Sequence, residues 1–409
     1  MSISSGTGTN VNWQAAPVFG RSTDASTAAT TGGADGTNKL WLPIWSGEVM
    51  TAFDQYRVFA PLTESRTIAS GRVAEFPIMG TVALKPAWGA GEELVGNTNE
   101  HTSKTIAVQL DARPIATHFE LDNVDLMISQ WEYRSELARQ AGQTLANARD
   151  LQVGAYIVRA GAEEVLSDDP RLYVASGAGA TGWRNSLADS PLYADAAFAN
   201  LGTGDADAAL LLLSKIEDFM VHLQKIDADT TGVTCAVDPS TFHDIRALGV
   251  AREASDLVGG SGRPFFGGVA DAGGLGSGLR DGMMALSDSL EYMGARIVKT
   301  NHMPTFDASS GANVIGEARY NLDFAAAGVK AMIWQSKAVA QLNSTGLKVD
   351  TVDDIRRNTV FTVASMMGGT GVLRPECAAV VTSAPGGSTT KAQLRTDLGM
   401  TPEYVNTSA

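Results

Sequence analysis

Residues 122–158, DNVDLMISQWEYRSELARQAGQTLANARDLQVGAYIV, carry the clearest periodic signal in the chain. Val124, Ile128, Trp131, Ala138, Ala141, Leu145, Ala148, Leu151, Ala155 and Val158 recur at spacings of three, four or seven, which places them on one stripe of a helix. Asp122 or Asn123 can cap its start, and no proline intervenes before Pro170. About 36 residues at ~1.5 Å each give a rod of roughly 54 Å. Glu132, Arg134, Glu136, Arg139, Arg149 and Asp150 make it too charged to span a bilayer, and the stripe is built on alanine without a sustained leucine or isoleucine seam. It reads as a long spine packed across a sheet.

Upstream of this rod the chain favours β structure. RTIASGRVAEFPIMG (66–80) and KTIAVQLDARPIATHFEL (104–121) are rich in β-branched and aromatic residues and read as two long strands. KPAWGAGEELVGNTNE (85–100), with Pro86, three glycines and the pair Glu92 and Glu93, is turn chemistry at the tip of a β-arm. Such a hairpin has little core of its own, so it implies a surface on which to lie. Before it, LWLPIWSGEVMTAFDQYRVF (40–59) predicts a short amphipathic helix from about Ser46 with Val49, Met50 and Phe53 on one side. Residues 1–38 are rich in Ser, Thr, Gly and Ala with isolated Trp13, Val18 and Phe19, a composition that cannot offset its ordering entropy without a partner.

Downstream, residues 171–205 are weakly patterned and read as a long surface insertion. A second globular unit follows. Asp205 and Asp207 precede the helix ALLLLSKIEDFMVHLQKI (209–226), VTCAVDP (233–239) is a short apolar strand, PSTFHDIRAL (239–248) opens another helix, and EYMGARIVKTNHMP (291–304) is a strand pair or edge. AMIWQSKAVAQL (331–342), FTVASMMGG (361–369) and GVLRPECAAVV (371–381) read as three returning strands, and the Ser-, Thr- and Gly-rich residues after Ala384 as an exposed tail. The fold class is α+β.

The chain has 409 residues, 44% of them hydrophobic, enough for at least one full core and two or more subdomains. Residues 1–20 pair no basic stretch with an apolar run, which predicts no secretory leader, and the run 208–213 is too short to cross a bilayer. Cys235 and Cys377 are too few for a disulfide framework and read as small buried hydrophobes. A formal charge of −14 repels phosphate, so sequence-independent binding of nucleic acid over the whole surface is not expected, while DNA could slide past such a surface without sticking.

Signatures of chemistry fail one by one. No GK[ST] ends a phosphate loop, Gly274-x-Gly276 lacks a third glycine at Leu279, and Gly259-Gly260-Ser261-Gly262 meets Arg263 where a nucleophile elbow needs glycine. His101, His118, His222, His243 and His302 show no metal-binding spacing. Asp227-x-Asp229-x-Thr231-Gly232 partly mimics a calcium loop but lacks its final Glu, and is read as a helix-terminating turn. No catalytic residue, metal or cofactor is expected.

What remains is an architecture of arms and a spine, which points to assembly. The block of 40–59, 66–80, Gly91–Leu94, 101–110 and 122–150 resembles, in order and spacing, major capsid proteins of short-tailed double-stranded-DNA phages; AVDPSTFHDI (236–245), ARIVKTNHMP (295–304) and TGVLRPECAAVV (370–381) are similar to the same family, so the resemblance covers roughly residues 40–383. It implies the tailed-phage major capsid fold, shared with encapsulins: an N-terminal arm at 1–40, a short helix at 41–59, an extended E-loop at 60–118, a peripheral domain at 119–170 with its spine helix over 123–166, the insertion at 171–205, an axial domain at 206–335, returning peripheral strands at 336–383 and a tail at 384–409. It implies a protein that is not an enzyme and that self-assembles as pentamers and hexamers into a phage head around double-stranded DNA. Scaffolding protein and portal would be its partners during assembly in the host cytoplasm. No membrane is involved and the virion is its destination. The E-loop of this family lies across the adjacent subunit, so Trp88 is expected to pack on a neighbour and Glu92 and Glu93 to face basic side chains there, with Arg134 and Arg139 as partners and Arg356 or Arg357 left open. The alternatives are an encapsulin-like nanocompartment shell and, from another class, a soluble α/β enzyme without a recognisable motif.

Overall fold

The computed structural model describes residues 49, 51–53, 56–79, 89–91, 103–122, 133–163, 191–202, 204–226, 228–246, 289–309, 315–354, 357–384 and 386–400. The chain divides into two compact units: residues 1–57, 111–149 and 344–368 form the first, and residues 58–110, 150–343 and 369–409 the second. This partition differs from the expected one, because it divides both the spine helix and the returning strands between the two units.

The spine is α1, Tyr133–Ala162. Asp122, one of the two expected caps, instead ends strand β4, Ile115–Asp122, paired opposite Thr359; the other, Asn123, lies with residues 124–132 outside the described residues. In the first unit the expected stripe holds, with Ala138, Ala141 and Leu145 buried. Ala138 and Leu145 pack with Val49, Phe53, Ala364 and Met366, while Leu137 lies against Leu121 and Val360. The helical segment at 49–53 thus turns Val49 and Phe53 inward as its pattern predicts; Met50 lies outside the described residues. It approaches α1 closely at Gly142, where an added Cβ would stand 2.5 Å from the carbonyl oxygen of Val49 and 2.8 Å from Cβ of Ala52.

In the second unit α1 stops being a stripe: every residue from Gln152 to Ala162 is buried. Small residues permit this. A Cβ on Gly154 would meet Phe59 and Pro304 at 3.3 and 3.2 Å, and one on Gly161 would lie 2.5 Å from a methyl of Val380.

The expected long strands of the arm are each broken in two. The first contains β1, Glu64–Thr67, and β2, Val73–Met79, separated by a turn with Gly71 at φ +94°; the second contains β3, Ser103–Gln109, and β4, with Pro114 between them. β2 and β3 form the antiparallel hairpin, in register from Val73 opposite Gln109 to Met79 opposite Ser103.

The second unit is built on a six-stranded sheet. Its strands are β5 (Leu192–Asp195), β6 (Val233–Val237), β7 (Ser289–Tyr292), β8 (Ala295–Lys299), β9 (Val329–Gln335) and β12 (Ala378–Ser383), in spatial order β5-β12-β9-β6-β8-β7. All residues of β6 and β12 are buried, so both faces of the sheet are covered, in line with a continuous apolar run rather than alternation. Helix α2, Ala206–Lys225, starts where Asp205 accepts from the N–H groups of Asp207 and Ala208, and it buries Leu212, Leu213, Ile216, Phe219 and Leu223. A helix α3 over residues 239–246 follows β6. EYMGARIV, read as a strand pair or an edge, closes as a hairpin through Met293 (φ 52°) and Gly294 (φ 87°), the two left-handed positions of a tight turn. Strands β10, Val339–Asp354, and β11, Thr359–Val372, contribute residues to both units; β10 pairs with β1 and β11 with β4.

Three expectations are corrected here. The residues 191–205, read as part of a surface insertion, supply β5, parallel to β12, and the buried Phe198 and Leu201; the strand is only four residues long and shows no alternation. The last of the returning strands, β12, belongs to the six-stranded sheet beside β9. Residues 386–400 of the expected tail are not exposed coil: helix α4, Lys391–Asp397, is capped by Thr390 and buries Leu394, with Leu398 and Met400 following; residues 385 and 401–409 lie outside the described residues. Its Ser and Thr residues act as local hydrogen-bonding groups, Thr382 donating to the Ser388 carbonyl at 2.6 Å and Ser388 to Asp397 at 2.8 Å. Lys391 also donates to the Glu163 carbonyl near the end of α1 at 3.0 Å.

Leu394 is wholly buried, so Leu394→Ala is expected to lower unfolding stability by about 2–4 kcal/mol. Urea or thermal melting of the subunit checks this; a wild-type transition would mean that the C-terminal helix is an appendage.

Candidate assembly interface

The feature to be explained is a hairpin whose described strands bury side chains only near its base. Burial along it is graded. Ala74, Val108 and Leu110 near its base are buried, Phe76 and Ile106 on the same face are half-buried, and Val73, Glu75, Pro77, Thr105, Ala107 and Gln109 on the other face are exposed. The base is closed by the Leu110 N–H donating to the Arg72 carbonyl at 2.8 Å.

The chain leading into the hairpin is fixed by a buried carboxylate. Asp150, in α1, is fully buried and accepts from the backbone N–H groups of Val58 and Phe59, the latter at 3.1 Å, with His302 Nδ1 3.3 Å from its Oδ2. Phe59 then packs edge-on against Trp334, ring centroids 5.6 Å apart. Trp334 Nε1 donates to the Leu62 carbonyl at 3.2 Å, and the Gln341 amide donates to Thr63 Oγ1 and to the Ala60 carbonyl. A carboxylate buried this deeply is tolerated because its acceptor sites are used.

Of the five residues expected at the interface, the structure describes one side chain. Trp88, Glu92 and Glu93 lie outside the described residues; beside them, Gly91 takes φ 92° in a turn, as the tip chemistry predicts. Arg134 lies in the first turn of α1, and its side chain is outside the described residues. Arg139 is half exposed and engaged within its own subunit. Its guanidinium forks onto Glu136, with Nε to Oε2 at 2.9 Å and Nη2 to Oε1 at 2.7 Å, and Nη1 donates to the Tyr56 hydroxyl at 2.7 Å. Hydrogen bonds from Arg139 and then Gln140 pull the Glu136 carboxyl down to about 2, and the same pairing raises Arg139. A neighbour's carboxylate would therefore meet an arginine that already has an acceptor. Arg357 is likewise near a local acid, 3.7 Å from Asp354.

Other titratable groups have structural settings. Asp229 accepts from the Thr231 N–H and hydroxyl, which lower its pKa, so the calcium-like run is the turn between α2 and β6. Burial lowers His222, whose ring meets the Glu376 carbonyl at 3.2 Å, and pushes the Cys235 thiol up to about 12. Cys235 and Cys377 are both buried and are not joined in a disulfide. Among the described residues no His, Cys, Asp and Glu side chains cluster as a metal site would require.

Comparison with solved structures gives the fold. The chain superposes on a subunit of the capsid of cyanophage P-SCSP1u with a TM-score of 0.58, covering 81% of this chain and 89% of that one at 22% identity. A chain of the mature capsid of bacteriophage PhiM1 gives 0.56, covering 80% and 88% at 15% identity. At such identities the likeness is one of fold, and the fold is the tailed-phage capsid fold. In sequence, the chain is 36% identical over 116 residues to the major capsid protein of Enterobacteria phage T3, and 35% identical over 112 residues to that of Escherichia phage T7. These alignments take in 27% of this chain and 31% and 32% of the phage proteins, so the chain spans about a third of the length of the curated relatives it matches. No family model matches the sequence.

Asp150→Ala would leave two backbone N–H groups without their acceptor and is expected to lower stability by about 2–4 kcal/mol. Hydrogen exchange at 58 and 59 should accelerate with it; unchanged protection there would show that these amides are held by something other than Asp150.

Proposed function

We propose that this chain is the major capsid protein of a short-tailed double-stranded-DNA phage, a structural subunit rather than an enzyme, that assembles as pentamers and hexamers into an icosahedral head. The observation that carries the reading is the likeness in fold of four-fifths of the chain to chains from the capsids of two phages. The local similarity to the T3 and T7 major capsid proteins supports the short-tailed class. A net charge of −14 suits a shell that encloses DNA without binding its sequence. A scaffolding protein and a portal would act during assembly in the host cytoplasm, and the virion would be the destination.

On this reading the hairpin is stabilised by a neighbour. Trp88 at its tip is an aromatic anchor for the adjoining copy, and Glu92 and Glu93 approach the spine of that copy near Arg134 and Arg139. Since Arg139 already pairs with Glu136, the carboxylates set register and the indole supplies the greater share of affinity.

Coexpression of the full chain with its phage's scaffolding protein should give closed particles tens of nanometres across by electron microscopy; a monodisperse monomer or dimer under those conditions would sink the proposal. Trp88→Ala should reduce shell yield more than Glu92→Lys, each with the subunit's melting unchanged. Normal yield from Trp88→Ala would refute the anchor, and a collapsed melting transition would place the indole in the subunit's own core.

A further inference from the structure

The root of the hairpin is held in a way that neither its register nor its turn requires. Gly369 and Gly371 of β11 have ordinary strand conformations, so they are not glycines for the sake of a positive φ. They are glycines because β3 comes too close for a side chain. A Cβ on Gly369 would run into the Gln109 carbonyl and lie 2.9 Å from Leu110 Cα, and one on Gly371 would lie 2.7 Å from both methyls of Val108. The atoms they would meet are backbone and a branched side chain, which have little room to give.

Arg319 holds the same carbonyl. Its Nη2 donates to Gln109 O at 3.2 Å, its guanidinium lies 5.0 Å above the Tyr320 ring, and its Nε is 3.6 Å from Glu317. The backbone behind it is anchored on α1: Arg159 Nη1 donates to the Arg319 carbonyl at 3.4 Å, and the buried Tyr320 meets the buried Tyr156 edge to face at 5.2 Å. Gln109 is the last residue of β3, so these interactions grip the arm where it leaves the body.

We infer that Arg319 and the seat formed by Gly369 and Gly371 are a fixed joint that sets the angle of the hairpin, and through it the curvature of the shell. The inference rests on the capsid reading above and adds a determinant away from the tip. Seven strand residues at ~3.3 Å each make a lever of roughly 20 Å, so a tilt of about 10° at the root displaces the far end of the paired strands by about 3–4 Å. A displacement of that size is enough to seat or unseat a side chain on the neighbouring subunit while the subunit's own core stays untouched.

The test coexpresses wild type, Arg319→Gln, Arg319→Lys and Gly371→Ala with the scaffolding protein, measures particle diameters by electron microscopy, and follows hydrogen exchange at residues 105–110 in unassembled subunits. Arg319→Gln and Gly371→Ala should broaden the diameter distribution by at least about twofold or give open sheets, with melting near wild type. Exchange at the root should rise by about tenfold in Arg319→Gln. Arg319→Lys, which keeps a cationic donor, should fall nearer to wild type. Uniform shells from wild type and from both Arg319→Gln and Gly371→Ala would overturn the joint alone; absence of shells from wild type would overturn the capsid reading and this inference with it. Should Gly371→Ala not fold, the Arg319 pair decides, and equal diameters for its Gln and Lys variants overturn the joint.

Discussion

Close approach along α1 is the constraint on which the second unit depends. A helix buried on every side from Gln152 to Ala162 must let its neighbours reach its backbone, and Gly154, Ala155, Ala160, Gly161 and Ala162 provide the room. Phe59 and Pro304 fill the space beside Gly154, and Val380 of β12 fills that beside Gly161. Larger residues at these positions would separate the helix from the sheet and open voids that weaken dispersion attraction over the whole interface. The same helix carries the buried Asp150 and Arg159, the latter paired with Glu163 just past its end, and their hydrogen bonds fix the segments around it.

Several ion pairs among the described residues are local. Arg139 with Glu136, Lys215 with Asp218, and Arg357 with Asp354 pair across a single helical turn or loop, and Lys348 with Asp350 within one strand. The exposed pairs among them, such as Lys348 with Asp350, add little to stability. Their consequence is that a partner's carboxylate must compete for cations already served. For a chain proposed to assemble in repeated copies, this shifts the work of association toward shape and apolar anchoring, and charge toward setting register.

Much of the architecture was legible in the residues. The alanine stripe from Ala138 to Leu145, the inward Val49 and Phe53, the Asp205 cap, the apolar strand at 233–237 and the Met293–Gly294 turn are local patterns whose physics is complete within a few residues. The hairpin was legible for the same reason, although Gly71 and Pro114 cut both of its arms shorter than their composition implied. The assembly residues were legible only in kind: aromatic and acidic side chains in a glycine-rich turn mark a tip, but their partners belong to another copy. The engagement of Arg139 by Tyr56, 83 positions away, had no signature in the sequence.

Sequence by itself determined the type of the long elements, the failure of the usual chemical motifs, and the resemblance to phage capsid proteins, because periodicity, capping and turn chemistry are short-range. Only the tertiary structure decided which sheet each strand joins, where α1 changes from an amphipathic stripe to a fully buried rod, and that the last segment docks. β5 finds its partner β12 about 190 residues later in the chain, with Leu192 opposite Val380, and Leu394 joins a core built from α1 and the sheet. Those pairings join residues distant in sequence, and parallel pairing or a seven-residue helix leaves no local periodicity from which they can be read.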